Sequence, residues 1–256
     1  MTVRMFSRRS FRLWQRNRDV FFRLWPSEAP VALIEPVLLL LAFGVGMGAF
    51  IGLIDGEKYI NFIAPGMVAA YAMFTASNEC SYAAFLRMEH QYTYDAILAT
   101  PLNVEDITAG EIFWGATRAV MTGGIVLGVA AGFGLVHSWW SLLILPIAFV
   151  EGILFASIAL FYTSIVPSIY SFNYFFTLFV NPLFLLSGVF FPLSAFPEVF
   201  DTISWFTPLR PVVELVRGAF KGEMPDNLWM AIGIIAGYIL VFFGITLVTM
   251  RRRLTK

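Results

Sequence analysis

The chain has 256 residues, of which 59% are hydrophobic and 13% are charged, and its acidic and basic residues balance to a formal net charge of zero. Soluble globular proteins carry about 25% charged residues, so this composition excludes an ordinary soluble protein and predicts one embedded in a membrane. Because basic residues are not in excess, we expect no nucleic-acid partner.

The apolar runs are long enough to cross a bilayer as helices. A membrane-spanning helix needs about 20 predominantly apolar residues, and six such segments are present. They lie at roughly 31–53, 60–80, 112–136, 140–163, 169–190 and 228–250. The sequence therefore predicts an all-α integral membrane protein with six transmembrane helices in a single domain over residues 1–256.

Residues 5–25 precede the first apolar run and show the pattern of an amphipathic helix. At about 100° per residue, most arginines fall on one side and most apolar side chains on the other. The basic side holds Arg8, Arg9, Arg12, Arg16 and Arg23, and the apolar side holds Phe6, Leu13, Trp14, Val20, Phe21 and Leu24. We assign residues 1–28 to an interfacial helix, which either only anchors the chain at the membrane surface or also contacts a cytoplasmic partner.

Basic residues cluster at both ends of the chain. Arginines recur from Arg4 to Arg23 before the first span, and Arg251, Arg252, Arg253 and Lys256 follow the last. Cytoplasmic segments of membrane proteins carry the excess of Lys and Arg, so we expect both termini in the cytoplasm. An even number of spans is then required, which six predicted spans satisfy.

Glycines recur at four-residue spacing in two predicted spans. The first span contains Gly44, Gly48 and Gly52, and the third contains Gly124, Gly128 and Gly132. Such stripes let helix backbones approach closely, either within one bundle or between two subunits. We assign the stripe of the first span to dimer packing.

Carboxylates within membrane spans are candidate functional groups, because burying a charge in lipid costs several kcal/mol. Glu79 lies near the cytoplasmic end of the second span, where we expect it to meet water. Glu151 lies midway along the fourth span, so we expect it to face the bundle interior, protonated or hydrogen-bonded. Further acids or histidines at this depth are not evident, which favours a structural Glu151. Glu35 is expected at headgroup depth without a chemical role.

The loop at residues 81–106 is the substantial cytoplasmic segment between spans. Its pattern predicts a short helix ended by Pro101, with charged residues and exposed-looking aromatic and aliphatic ones. These residues are Arg87, Glu89, Tyr92, Tyr94, Asp95, Ile97 and Leu98. One interpretation of this loop is a solvated linker at the membrane interface.

Prolines interrupt the apolar stretch between Asn181 and Gly222. Proline removes a backbone donor and clashes with the preceding turn, so this stretch cannot form one continuous helix. The segments between the prolines stay apolar, which is typical of broken helices that dip into the bilayer edge and return. We predict spans one to five over 29–190, an outer re-entrant hairpin over 191–227, and the last span and basic tail over 228–256. The candidate outer-gate residues are Phe190, Phe191, Pro192, Phe196, Pro197, Pro208, Arg210 and Pro211.

Motifs for catalysis are not evident. The sequence contains no GxxxxGKS/T phosphate loop, no Cys and His cluster with metal-ligand spacing and no serine in a GxSxG turn. We therefore expect no catalytic, cofactor-binding or metal site in this chain. If ATP drives transport, ATP and magnesium must bind a separate subunit.

Several motifs carry a family resemblance over nearly the whole chain. They are FIAPGMVAAYAM at 62–73, YAAFLRMEHQYTYDAILATPL at 82–102, ITAGEIFWGATRA at 107–119, SGVFFP at 187–192 and PLRP at 208–211 leading into ELVRG. In these motifs the chain resembles the ABC type-2 exporter permeases, and within them the NodJ branch. The resemblance implies the membrane-spanning subunit of an ATP-driven exporter in the bacterial cytoplasmic (inner) membrane.

The resemblance also implies partners. Two copies of the permease would form a pathway at their interface, with two copies of a separate ATPase beneath. The segment from Arg87 to Leu98 would be the coupling helix, which inserts into a groove of the ATPase. The implied substrates are amphiphiles such as lipid-linked or acylated saccharides, lipids or hydrophobic compounds.

Two other functions stay open as alternatives. An ion-coupled secondary transporter would use Glu151, although an inverted internal repeat is not evident. The third possibility is an intramembrane enzyme. A co-purifying ATPase would support the exporter, and a requirement for a proton gradient would support the secondary transporter.

Overall fold

The computed structural model describes residues 10–54, 56–193 and 196–255, without the side chains of residues 27–33 and 198. Arg4, Phe6, Arg8, Arg9 and Lys256 lie outside the described residues. Within the described part of the chain the fold is helical, apart from a small hairpin in which β1 (Leu53–Ile54) pairs antiparallel with β2 (Glu57–Lys58). This confirms the all-α prediction.

Several of the long helices are built from α-helical and π-helical pieces. The first half of the chain contains α1 (Ser10–Leu39), α2 (Gly48–Ile51), α3 (Tyr59–Asn78), α4 (Thr93–Leu98) and α5 (Val104–Gly132). The second half contains α6 (Ile144–Ile165), α7 (Phe172–Phe175), α8 (Asn181–Leu186), α9 (Glu198–Trp205), α10 (Arg210–Lys221) and α11 (Leu228–Leu254). The π-helical segments are Leu40–Met47, Glu79–Ala83, Leu86–His90 and Phe176–Val180, and 3-10 turns at Trp139–Leu143 and Ile169–Ser171 precede α6 and α7.

Six helical runs among the described residues are long and apolar enough to cross a membrane, which confirms the predicted number. They are Ile34–Ile51, Tyr59–His90, Val104–Gly132, Trp139–Ile165, Ile169–Leu186 and Leu228–Leu254. The second run extends to His90 rather than to residue 80, and the third begins at Val104 rather than at residue 112. The physical reason is ion pairing: Arg87 neutralises both Glu79 and Glu111 inside the bundle, so these carboxylates do not end their helices.

The helix α1 runs without a break from the amphipathic segment into the first span. Leu13 and Phe21 are buried on the side that packs against α5. The rings of Phe21 and Trp14 lie 5.7 and 6.5 Å from the ring of Trp114. The indole Nε1 of Trp14 also donates to the Thr117 hydroxyl at 2.8 Å. This side of the amphipathic segment is therefore bound to protein, and the predicted boundary at residue 28 does not coincide with a helix end.

The core is centred on α6, which packs against α3, α5 and α11. Gly152 of α6 approaches α5 so closely that an added Cβ would lie 2.5 Å from the Cα of Ala116. Gly115 of α5 is crowded in the same way, since its Cβ would lie 2.8 Å from the Sγ of Cys80. Small residues at helix crossings allow this approach in membrane bundles. The contact between α5 and α6 therefore depends on glycine.

Gly152→Val is expected to destabilise the bundle, because the valine side chain would overlap with the backbone of α5. Overpacking a tight core typically costs about 1–3 kcal/mol. Gly128→Val is the matched control, since nothing lies within 4 Å of a Cβ added at that glycine. Thermal unfolding of the two solubilised variants measures the difference. Equal melting temperatures would contradict the close approach.

The glycine stripe of the first span meets α3 of the same chain. A Cβ added to Gly44 would lie 2.6 Å from the Cγ1 of Ile60, and one added to Gly48 would lie 3.6 Å from the Cβ of Tyr59. Gly52 follows the end of the helical run with a φ of 73° and has nothing within 4 Å of its Cβ position. The close approach at Gly44 is made within the chain, and the assignment of this stripe to dimer packing stays a prediction.

Two short helices, α9 and α10, fill the stretch in which the prolines excluded one long helix. Pro197 precedes α9. Pro211 lies in the first turn of α10, where a missing N–H is tolerated. The helix α10 packs against α3 and α11. The re-entrant path of this hairpin stays a prediction.

Candidate functional site

A cavity of about 570 Å³ lies between the first, second, third and fifth spans. Its wall is formed by Glu35, Leu39, Tyr71, Phe74, Thr75, Asn78, Glu79, Tyr82, Ala83, Leu86, Arg118 and Phe184. Ligand sites commonly combine apolar walls with a few convergent polar groups that orient the ligand. This lining combines aromatic rings with hydroxyl, amide and charged groups, so it suits a molecule with both apolar and polar parts.

The polar groups of the cavity come from several helices. The Tyr71 hydroxyl of α3 lies beside the Glu35 carboxylate of α1. The Tyr82 hydroxyl donates to the Oδ1 of Asn173 at 3.1 Å, which joins the second span to the fifth. Asn78 is exposed in the wall. Glu35, for which the sequence predicted no chemical role, therefore belongs to the candidate site.

Aromatic rings continue from the cavity toward the predicted outer gate. Phe184 in the cavity wall lies 5.1 Å from Phe74 and 4.8 Å from Phe190, measured between ring centroids. Phe190 in turn lies 5.3 Å from Phe43. The Tyr59 hydroxyl donates to the backbone oxygen of Phe190 at 3.1 Å. The predicted gate residue Phe190 is therefore part of one aromatic cluster with the cavity wall.

The other predicted gate residues are spread over residues 191–211. Phe191, Phe196 and Pro197 are exposed, Pro192 is half-buried, and Pro208, Arg210 and Pro211 are buried. Phe196 stacks on Phe200 of α9 at 4.7 Å. The structure thus divides the predicted gate into a buried aromatic part at Phe190 and a second part, which lies in the segments before α9 and α10 and in the first turn of α10.

Arg210 joins α9 and α10. Its Nη1 donates to the Oδ1 of Asp201 at 2.6 Å and also to the hydroxyl of Ser204. Its guanidinium lies 4.7 Å from the ring centroid of Trp205. Only 8% of the Arg210 side chain is exposed, and a buried charge needs such partners to be stable. Arg210 therefore fixes the start of α10 against α9.

The predicted coupling segment contains the short helix α4. Tyr92, which precedes α4, is exposed and has a φ of 50°, so it turns the chain at the end of the long second helix. Asp95 is exposed, and Ile97 and Leu98 are half-buried. Glu89 pairs with Arg253 at the end of α11 at 2.9 Å. Four residues of the segment, Tyr92, Asp95, Ile97 and Leu98, thus retain surface that a partner can contact.

Two predicted coupling residues point into the protein instead. Tyr94 is 1% exposed, and burial, followed by the neighbouring Glu111 carboxylate, raises the pKa of its phenol well above the ordinary value. Tyr94 is therefore neutral at physiological pH. The Arg87 side chain is 13% exposed and is held by carboxylates. The expectation that Tyr94 is an exposed anchor is wrong, because its ring packs in the core.

A buried ion network lies behind α4. Arg87 donates from Nη1 to the Oε1 of Glu79 at 2.8 Å and from Nη2 to the Oε2 of Glu111 at 2.7 Å. The Nε of Arg118 lies 3.5 Å from the Oε2 of Glu79. The side chain of Glu79 is 12% exposed and that of Glu111 is 0% exposed. Two cations and two carboxylates therefore neutralise one another inside the protein.

The sequence predicted only part of this network. Glu79 was expected to meet water, and it does line the cavity, but arginines hold its carboxylate. Glu111 was missed because it lies just before residue 112, where the third span was expected to begin. A usable signal was the spacing of Glu111 and Arg118, which are seven residues apart and so share one face of a helix. An acid and a base on one face near the end of a span indicate a pairing site.

Comparison with known protein families decides what kind of protein carries this site. The model of the family described as ABC-2 type transporter matches residues 4–221. This chain belongs to the ABC-2 type transporter family. The predicted resemblance to the ABC type-2 permeases is therefore confirmed.

Relatives of this ABC-2 transporter match it over nearly its whole length. Nodulation protein J of Rhizobium leguminosarum bv. viciae is 36% identical over 249 residues, which cover 95% of this chain and 94% of the relative. Nodulation protein J of Rhizobium meliloti (strain 1021) is 35% identical over 243 residues, with 94% and 92% covered. The inner membrane transport permease YadH of Escherichia coli (strain K12) is 26% identical over 241 residues, with 90% of each chain covered. These relatives confirm the likeness to the NodJ branch.

Glu151 of this ABC-2 transporter is buried in α6 with 1% exposure. Neither of its carboxylate oxygens has a hydrogen-bond partner within the part of the chain that the structure describes. An ionised carboxylate buried without a partner is strongly unfavourable, so the site accommodates the neutral acid. The prediction that Glu151 faces the bundle interior is confirmed, and the described residues offer its carboxyl group no hydrogen-bond partner.

Glu151→Gln is expected to change the free energy of unfolding of this ABC-2 transporter by about 1 kcal/mol or less, because it replaces a neutral acid by an amide of similar shape. Transport should therefore persist. Glu151→Lys is the contrasting variant, since it places an unpaired cation at the same point and should prevent assembly. Complete loss of transport in Glu151→Gln, with normal expression and assembly, would contradict a structural role and favour ion coupling.

Proposed function

We propose that this protein is the permease subunit of an ATP-driven exporter, in which two copies of the chain form the pathway and two copies of a separate ATPase drive it. The observation that carries the proposal is the segment of Tyr92 and α4, which has exposed surface at Tyr92 and Asp95. Inward, the ion network connects this segment to the cavity wall. ATP binding can move the spans only through contacts that differ between the states of the motor. An exposed helix with an internal connection to the cavity provides such contacts.

A second copy of the chain would complete the pathway. The first span buries only 17% of its residues within the chain, and the fifth span buries 22%. Both line the cavity, through residues such as Leu39 and Phe184. Most of their surface is therefore free to face lipid or another subunit, and a homodimer formed through these spans would enclose the cavity.

The lining of the cavity supports an amphiphilic substrate, such as a lipid-linked or acylated saccharide, a lipid or a hydrophobic compound. The rings of Phe74, Tyr82 and Phe184 offer apolar faces for an acyl chain or a sugar ring. Glu35 and Asn78 offer an acceptor and an amide for the hydroxyl groups of a polar moiety. The substrate would enter from the cytoplasmic side and leave past the aromatic cluster at Phe190.

We place the permease in the bacterial cytoplasmic (inner) membrane with both ends of the chain in the cytoplasm. The last turn of α11 carries Arg251, Arg252 and Arg253, and an excess of basic residues marks the cytoplasmic side. With six spans, α4 lies on the same side as the two ends, where an ATPase can reach it. The Escherichia coli relative carries the description inner membrane transport permease, which supports this location.

Uptake into inverted inner-membrane vesicles tests the proposed function. The probe is a fluorescent fatty-acylated oligosaccharide, and the vesicles come from the native host and from a strain that lacks the chain. We expect uptake that requires the chain and ATP, stops with vanadate and continues when a protonophore removes the proton gradient. Uptake that needs no ATP and stops with the protonophore would overturn the proposal and favour an ion-coupled transporter.

A further inference from the structure

The buried ion network has ends in two different places. At one end, Arg87 and Glu111 lie against Tyr94 of α4. At the other end, Glu79 and Arg118 line the cavity. Arg87 bridges the two carboxylates at 2.7 and 2.8 Å, and Glu79 approaches Arg118 at 3.5 Å. A continuous path of charged contacts therefore leads from the coupling segment to the cavity wall.

Arg87 connects the two carboxylates of this path, because its guanidinium pairs with both Glu79 and Glu111. Its backbone belongs to the π-helical segment Leu86–His90, which directly precedes the turn into α4. Single π-helical turns within long helices are often found at functional sites. Its guanidinium is fixed to the third span through Glu111 and to the second span through the carboxylate and the backbone oxygen of Glu79, the latter at 3.2 Å. The planar fork of arginine suits this double attachment better than a lysine ammonium.

The ion pair between Arg87 and Glu111 cannot be stretched gradually. Glu111 is completely buried, so movement of Arg87 away from it would leave an unpaired carboxylate in the interior, which is strongly unfavourable. A displacement of α4 therefore either carries the whole network with it or is resisted. Packed elements of this kind change between discrete arrangements rather than continuously.

We propose that Arg87 is a positioning residue that passes the displacement of α4 on to Glu79 and Arg118 in the cavity wall. This inference rests on the proposed function, because it requires an ATPase that acts on α4. A network that only stabilises the fold has a different consequence: the cavity would respond to nucleotide in the same way with or without the Arg87 charge.

The test variant must remove the Arg87 guanidinium without leaving an unpaired buried charge. Arg87→Met alone would leave Glu111 unpaired, so a loss of function would have two explanations. Arg87→Met with Glu111→Gln removes one cation and one carboxylate and leaves Glu79 with Arg118. The double variant therefore keeps the interior neutral.

The control variant lies away from Arg87, and the reporter lies next to Glu79 in the cavity wall. Lys221→Met with Glu57→Gln also removes one ion pair, which is 3.3 Å apart with side chains 51% and 41% exposed. The reporter is Asn78→Cys, in the cavity wall. Cys80, the single native cysteine, is completely buried, so protein without Asn78→Cys gives the blank.

The complete complex of permease and ATPase is placed in lipid nanodiscs and labelled with a polar maleimide, with and without ATP and vanadate. The ADP trapped by vanadate is measured in the same samples. In the parent and in the control variant, we expect the labelling rate at Asn78→Cys to change when ADP is trapped. In Arg87→Met with Glu111→Gln, we expect trapped ADP but loss of that change.

Two results would overturn the inference. In the first, the double variant shows the same change in labelling rate per trapped ADP as the parent. In the second, the labelling rate of the parent does not change although ADP is trapped. A role in stability alone would lower the yield of the double variant and leave the change per trapped ADP intact, which is the first of these results. A parent protein that carries no ATPase and traps no ADP would instead refute the proposed function.

Discussion

Replacing Tyr92 and Leu98 together by alanine is expected to release the ATPase from the permease and to stop export, while the spans stay inserted. Tyr92 is 65% exposed and Leu98 is half-buried, so both have surface that a partner can cover. Neither side chain belongs to the ion network. Aromatic and aliphatic anchors cost about 1–4 kcal/mol each when they are truncated at an interface, which is enough to lower affinity by about thirtyfold or more for the pair.

The measurement is co-purification of the ATPase with tagged permease, together with export from the same cells. Tyr94→Ala is the contrasting variant, because Tyr94 is buried and its truncation would leave a cavity in the core rather than alter the docking surface. Replacing a large buried aromatic side chain by alanine costs about 3–5 kcal/mol, so we expect a lower yield of folded permease. Normal export and a retained ATPase in the Tyr92 and Leu98 variant would show that α4 is not the docking element.

Arg87→Met is expected to destabilise the permease by about 3–5 kcal/mol, the usual consequence of breaking one side of a buried ion pair. The reason is Glu111, which is completely buried and would lose its cation. Adding Glu111→Gln should restore most of the lost stability, because no unpaired charge then remains near the site. Glu79 keeps Arg118 in both variants.

Thermal unfolding of the parent, the two single variants and the double variant forms a complete cycle. Contacting residues give a coupling energy of about 0.5–3 kcal/mol in such cycles, and we expect a value at or above the upper end because the pair is buried. Destabilisations that simply add in the double variant would contradict the direct contact between Arg87 and Glu111.

Features that depend on local pattern were predictable from the sequence. The six spans follow from the length and hydrophobicity of the apolar runs, since a helix must be long enough to cross the hydrocarbon core. The break between α9 and α10 follows from the prolines, whose rings cannot continue a helix. The burial of Glu151 follows from the lack of a basic partner in its own span. Each of these conclusions needs only residues that are close together in the chain.

Features that depend on contacts between distant residues were not predictable in this way. Arg87 and Glu111 are 24 positions apart, and a single sequence does not show that they pair. Without that contact, Glu111 marks the end of a span and Tyr94 belongs to an exposed loop. With it, both lie inside the protein. The packing of Gly44 against Ile60 was missed for the same reason, because a glycine stripe does not identify the surface that it meets.

Affinity purification of the tagged, full-length chain from membranes of its native host tests most directly whether this permease is driven by a separate ATPase. We expect a second polypeptide to co-purify in equal amount, to contain the GxxxxGKS/T phosphate loop that this chain lacks, and to hydrolyse ATP in the complex. Isolation of a fully active transporter that contains this chain alone, hydrolyses no ATP and responds only to a proton gradient would contradict it.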